Sequence, residues 1–186
     1  MLFSSCGFVG AIYSILPDVF YICRMNYFEL FQIPVGPVVD KAIISRNYIA
    51  LQKNFHPDYF TESGEWEQDE VLQKSADINK AYKIFQDADK TIEYFLQLSG
   101  LIEVDEKYNL PNEFLMEIME INETLGENPE AAKNEVTSLK EKLDIESKNI
   151  TDNYWLGVTD GESFQHMKLN YYKKKYLKRI LERLEL

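Results

Sequence analysis

With 186 residues, the chain is long enough for one or two small domains with cores of their own, and at 45% apolar residues it is not a disordered polymer. Its formal charge of -11 excludes the basic, phosphate-neutralising surface on which nucleic-acid binders depend. Two cysteines, Cys6 and Cys23, are too few for a disulfide framework or a four-ligand metal site, so a reducing, cytoplasmic setting with no bound metal or cofactor is expected.

Residues 1–24 are apolar but carry no basic residue before Arg24, and they lack the positive start and small-residue cleavage site of a secretory signal. Pro17 and Asp18 interrupt them too early for a membrane span, which needs about 20 clean apolar residues. The following Met25-Asn-Tyr-Phe-Glu-Leu-Phe-Gln-Ile-Pro34 reads as the start of a domain. Met25 is therefore expected to be the natural initiator, and the prefix 1–24 is read as non-native or as a poorly ordered tail.

A short helix is expected over Tyr27 to Phe31, stopped near Pro34 and Gly36. Asp40 stands at an N-cap position for a helix running to about Phe55. On a wheel of about 100° per residue, Ile44, Tyr48, Leu51 and Phe55 share one arc, with Arg46 and Lys53 nearly opposite. Those two cations are either plain solvated charge or a basic docking face. His56-Pro57-Asp58 comes next and must be a loop, because Pro57 removes a donor and drives His56 out of the helical region. Five acids between Thr61 and Val71 open a second helix, about Glu67 to Gln86, whose core face carries Val71, Ile78, Tyr82 and Phe85. Paired antiparallel, the two helices put the His-Pro-Asp loop at the tip of a hairpin. With Ile78-Asn-Lys-Ala-Tyr82 downstream, this arrangement resembles a J-domain, the module that triggers ATP hydrolysis in DnaK-type chaperones. A further helix, Thr91 to Leu98, is expected to end at Gly100.

Residues 101–110 read as a polar linker, and three more helices are expected at about 111–126, 129–148 and 162–184, enough for a small bundle. In the first of these, Phe114, Ile118, Ile121 and Leu125 form the core arc. Leu115, Met116 and Met119 project away from it, with Glu120, Glu123 and Glu127 beside them. Either a neighbouring helix covers these apolar residues or they form an adaptable partner-binding patch, a role that suits flexible methionines. In the last helix the core arc is Leu169, Tyr172, Tyr176, Ile180 and Leu184, so Tyr171, on the opposite side, is expected to be exposed. From Gln165 to Leu186 seven basic residues face only two acidic ones. That stripe is expected to lie across acidic helices of its own domain, with an RNA-contacting helix as the alternative.

Asn26-Tyr-Phe-Glu-Leu-Phe31, the segment Leu51 to Phe60, Ser75-Ala-Asp-Ile-Asn-Lys-Ala-Tyr82, Glu93-Tyr-Phe-Leu-Gln-Leu-Ser-Gly100 and Phe114-Leu-Met-Glu117 together resemble HscB, the J-type co-chaperone family of iron-sulfur cluster assembly. The resemblance runs from about Met25 to the end, more strongly before Leu125 than after it. It implies an all-α, L-shaped protein: a J-domain over 25–100, a linker over 101–110 and a client-binding three-helix bundle over 111–186. It also implies an HscA or DnaK-type ATPase as partner and the scaffold protein IscU as client, with a monomer that acts without membrane or nucleic acid. The chaperone contact implied is His56, Pro57 and Asp58 with Arg46 and Lys53. The scaffold contact implied is Leu115, Met116, Met119, Glu120, Glu123 and Glu127, with Tyr171 as the aromatic counterpart.

Two departures from the family pattern stand out. Tyr59 replaces the lysine that usually follows the aspartate, and Cys6 and Cys23 do not reproduce the cysteine-rich metal site of eukaryotic relatives, so a bacterial-type protein is expected. A general J-protein for unfolded clients and a structural adaptor with an inactive J-domain are the rival readings. The first would need the glycine-rich or zinc-binding client regions that this chain lacks, and the second rests on Tyr59. No catalysis is expected: His56 and Asp58 on an exposed loop have no sheltered cleft in which to tune an acid-base pair, and His166 stands without a nucleophile or metal-ligand set.

Overall fold

A computed structural model describes residues 25–184, apart from residues 63, 156 and 158–160. The prefix 1–24, with Cys6, Cys23 and the question of the initiator, lies outside the described residues. Regular structure within them is entirely helical: α1 Tyr27–Leu30, α2 Lys41–Asn54, a 3-10 turn Pro57–Phe60, α3 Glu65–Gln86, α4 Ala88–Leu98, α5 Asn112–Glu127, α6 Pro129–Trp155 and α7 Gly161–Leu184. No helix among the described residues is long and apolar enough to cross a membrane.

Local chemistry sets most of the boundaries. Asn26 and Glu29 form a reciprocal capping box at the start of α1, and Asp40 accepts the N–H groups of Ala42 and Ile43 at the start of α2. Gly100 takes the left-handed conformation, φ 67°, so that Leu101 and Gly100 donate back to the carbonyls of Leu96 and Gln97 and close α4. Asn128 accepts the Ala131 N–H, and Pro129 occupies the first turn of α6, where its missing donor costs nothing.

α2 and α3 pair as a hairpin. The Tyr48 and Tyr82 rings stack at 4.0 Å, and the Tyr48 hydroxyl and Gln52 amide both donate to Asn79. Phe28, Phe31, Ile44, Ile78, Phe85, Phe95 and Leu96 form the first core. A second core joins Phe114, Ile118 and Ile121 of α5 to Ala132, Val136 and Leu143 of α6 and to Leu177 and Ile180 of α7.

α7 belongs to both. Its first half contributes Met167, Tyr171 and Tyr172 to the core under α4, while its second half completes the bundle. α6 runs on to Trp155, beyond the expected end at 148, because Thr151 is buried and the Tyr154 ring packs edge-on against Phe95 at 5.3 Å. The segment read as a polar linker is held down as well. Ile102 is buried, the Tyr108 ring lies parallel to Tyr172 at 4.4 Å, and Glu106 accepts from Lys168 at 2.7 Å and from the Tyr172 hydroxyl at 3.0 Å. Those donors hold the Glu106 carboxyl below its ordinary range.

The basic stripe of α7 does lie across carboxylates, but they come from three places and not from its own bundle alone. Lys174 binds Asp89 of α4 and, at 2.7 Å, Asp144 of α6; Lys168 binds Glu106; Lys175 approaches Glu93 of α4. Burial works against the charge of both Lys174 and Asp144, yet their mutual hydrogen bond, with Asp89 on Lys174 and Lys140 at 2.9 Å on Asp144, prevails, raising the Lys174 pKa and lowering that of Asp144. The stabilisation is therefore complete around neutrality. The Asp144 share fades as pH falls through its depressed pKa, below about 4, and the Lys174 share only as pH rises above about 10. Lys174→Met is expected to cost roughly 1–2 kcal/mol at neutral pH, and its gap to wild type in thermal midpoint should narrow near pH ~3. A gap independent of pH would mean that the cluster contributes by packing alone.

Candidate functional site

The tip of the hairpin is fixed at its base and open at its end. Lys74 of α3 lies 4.3 Å over the Phe55 ring, and the Gln68 side chain donates to the Thr61 carbonyl, so both ends of the loop are tied to α3. His56 caps the 3-10 turn, its Nδ1 accepting the Asp58 N–H at 3.3 Å, while Pro57 supplies the preset first residue. The Asp58 side chain is 82% exposed, with Oδ2 at 3.6 Å from His56 Nδ1. His56 and Asp58 are thus both presented to solvent.

Arg46 and Lys53 are both exposed on the outer face of α2, and exposed Ile49 and Ala50 lie between them in sequence. Seven residues is close to two helical turns, which puts the two cations on one face leading to the loop. Ile49 was not singled out from sequence, although its place between Arg46 and Lys53 at helical spacing was the available signal. Tyr59 is also exposed, its ring tilted toward His56 at 5.7 Å.

On α5, Phe114, Ile118 and Ile121 enter the bundle core. Met116 and Met119 are 62% and 63% exposed, Leu115 is half-buried, and Glu120, Glu123 and Glu127 are all exposed beside them. No neighbouring helix among the described residues covers the methionines. The arrangement can offer a partner soft apolar contact flanked by negative charge.

Tyr171 does not join this surface. It is 8% exposed, and its hydroxyl donates to Glu93 of α4 at 2.5 Å while accepting from Lys175 at 3.1 Å. Burial and the Glu93 carboxylate push its pKa well up. The expected exposure fails because α7 has two buried faces, one against the bundle and one against α4, whereas the wheel assumed a single core arc. Tyr176 of the same helix lies nearer the α5 surface. It is half-buried, edge-on to Phe114 at 6.2 Å, and lines the same cleft as Leu115. Its sequence signal was its hydroxyl, since a tyrosine on a core arc tends to sit at the rim, where that group can reach water.

The two tyrosines are separable by experiment. Tyr171→Phe should cost about 1–3 kcal/mol by stranding a partner of Glu93, and leave partner binding intact. Tyr176→Ala should weaken partner binding at least about fivefold. Calorimetric titration with the partner, beside thermal denaturation of each variant, checks both.

Comparison with known proteins places the arrangement. Residues 110–185 match the family model described as the HSCB C-terminal oligomerisation domain. The chain is 35% identical over 172 residues to a Co-chaperone protein HscB homolog of Vibrio cholerae, covering 87% of this chain and 97% of that one. It is 34% identical over 164 residues to the human Iron-sulfur cluster co-chaperone protein HscB, covering 87% of this chain and 68% of the relative. The crystal structure of the human co-chaperone superposes with a TM-score of 0.71 at 31% identity, over 87% of this chain and 81% of that one. An all-α chain whose hairpin carries His56-Pro57-Asp58, packed against a three-helix bundle and alike in sequence to these relatives over most of its length, belongs to the HscB family of J-type co-chaperones.

Proposed function

We propose that the chain brings an IscU-type iron-sulfur scaffold protein to an HscA or DnaK-type chaperone in the cytoplasm and stimulates the ATPase of that chaperone. In this reading residues 25–100 act as the J-domain, 101–110 as the connection and 111–186 as the client-binding bundle. The chaperone docks on the outer face of α2 and on the loop: Arg46 and Lys53 supply positive charge, Asp58 is the charged acceptor at the contact, and His56 and Pro57 hold its geometry. The scaffold docks on Leu115, Met116, Met119, Glu120, Glu123 and Glu127, with Tyr176 as the aromatic anchor in place of Tyr171. The chemistry is the partner's; this chain supplies position.

The observation that carries the reading is the pair of methionines, more than half exposed beside three carboxylates, in a chain whose other end presents His56-Pro57-Asp58 outside both cores. Two modest contacts joined in one molecule raise the effective concentration of client at chaperone, so neither has to be tight. Single-turnover ATP hydrolysis by an HscA-type chaperone tests it. This protein alone should accelerate the turnover, and adding the scaffold should accelerate it further. A turnover unchanged by the protein would overturn the proposal.

A further inference from the structure

Leu115 borders two features. Next to it in sequence is the exposed methionine ridge, and its own side chain lines an open cleft of about 760 Å³ between residues 105–110, the start of α5 and α7. The α7 wall of that cleft presents Tyr172, Lys175, Tyr176 and Arg179.

The charges in the cleft are unequally committed. Glu106 is already held by Lys168 and the Tyr172 hydroxyl, and Lys175 is drawn toward Glu93 and Tyr171. Asp105 is exposed. Arg179 is exposed too; it also borders the neighbouring cleft of Glu93 and Glu182 but forms an ion pair with neither among the described residues, and Lys107 across the cleft has no ion pair among them. With Asp105 and Glu106 against Lys107, Lys175 and Arg179, the lining has a small local excess of positive charge on a chain of net charge -11. It occurs at the N-terminal end of α5, the positive end of the helix dipole, where exposed Glu113 of the first turn does not line the cleft, while Glu120, Glu123 and Glu127 follow toward the other end. The apolar residues Leu115, Met116 and Met119 lie between the two poles.

We infer that this cleft receives an acidic side chain, Asp or Glu, of the same client protein that covers Leu115 and Met116, with Arg179 as its partner; the inference rests on the client surface proposed above. A wholly basic contact patch would meet Arg179 and Lys107 at one end, and a wholly acidic one would meet the row of glutamates at the other. A client carrying both signs in the right order fits in one direction only, so the two poles fix its orientation on the apolar centre. Arginine suits the task because its planar fork can hold a carboxylate through two parallel bonds, and it shares the cleft lining with Tyr172 and Tyr176.

Titration of the IscU-type scaffold into the full chain tests this. Arg179→Ala should weaken binding about threefold to tenfold and flatten its dependence on salt, and Arg179→Glu should weaken it more than tenfold. Lys178→Ala, which removes an exposed charge of the same helix that does not line the cleft, should bind as wild type does. Among Asp→Lys and Glu→Lys variants of the scaffold, one should recover binding to Arg179→Glu specifically. Failure of the wild-type chain to bind would sink the client surface itself. Normal binding by Arg179→Glu, with Leu115→Ala and Met116→Ala still weakening the complex, would overturn the cleft assignment alone. So would equal losses for Lys178→Ala and Arg179→Ala, which would mean that only overall charge matters.

Discussion

Asp58→Asn is expected to abolish stimulation of the chaperone ATPase while leaving circular dichroism and thermal midpoint as in wild type. The Asp58 side chain is 82% exposed and belongs to neither core, so losing its charge removes no packing. Asparagine keeps nearly the same shape, and the turn keeps its cap, because the bond at that end runs from the residue 58 backbone N–H to His56 Nδ1. His56→Gln is the complementary test: it disturbs the cap that sets the turn, so it should also silence the trigger while the α2 and α3 pairing, built on Tyr48, Gln52, Asn79 and Tyr82, persists. Stimulation by Asp58→Asn equal to wild type, with normal circular dichroism, would remove the loop from the mechanism and leave an adaptor in which the J-domain is structural. Tyr59 bears on the same question. It puts an exposed ring where the family usually has a lysine, so Tyr59→Lys should strengthen stimulation or leave it unchanged, never abolish it.

Most of the helices were legible because they carry their own punctuation, although α4 begins at Ala88, capped by Asp87, and not at the expected Thr91. Asp40, Pro57, Gly100 and Pro129 are local signals, readable without knowing what packs where, and each sits at an element boundary. The hairpin followed from the shared arc of Ile44, Tyr48, Leu51 and Phe55, because α2 buries one face only. α7 was misread where it buries two. Tyr171 lies opposite the expected arc, and only the position of α4 decides that this side is buried as well. The polar composition of residues 101–110 hid the same thing: Glu106 and Tyr108 are docked by partners more than sixty residues away, Lys168 and Tyr172, which no local pattern reveals. The outward face of α5 was legible for the opposite reason. Apolar side chains off the core arc are conspicuous in sequence, and Met116 and Met119 remain exposed in the fold.

Converting Leu115, Met116 and Met119 together to Ala is expected to weaken scaffold binding by roughly a hundredfold, with little change in stability. Truncating an interface anchor commonly costs more than ~1 kcal/mol, and three that are even partly additive approach the ~2.7 kcal/mol of a hundredfold loss. The small stability cost should come from Leu115, which is half-buried, and not from Met116 or Met119, which already stand mostly in water. Phe114, Ile118 and Ile121 are untouched, and they hold α5 to the bundle. A true core deletion behaves otherwise: Leu177→Ala, at a position with no solvent exposure, should cost about 2–5 kcal/mol. Stimulation of the chaperone by the triple variant alone should survive, because the proposed contact with the ATPase lies on α2 and the loop. The extra acceleration brought by the scaffold should disappear, since the client is no longer carried to the chaperone. Undiminished scaffold affinity in a folded triple variant would take the client off α5, whereas loss of both activities in a folded variant would show that the two surfaces are not separable.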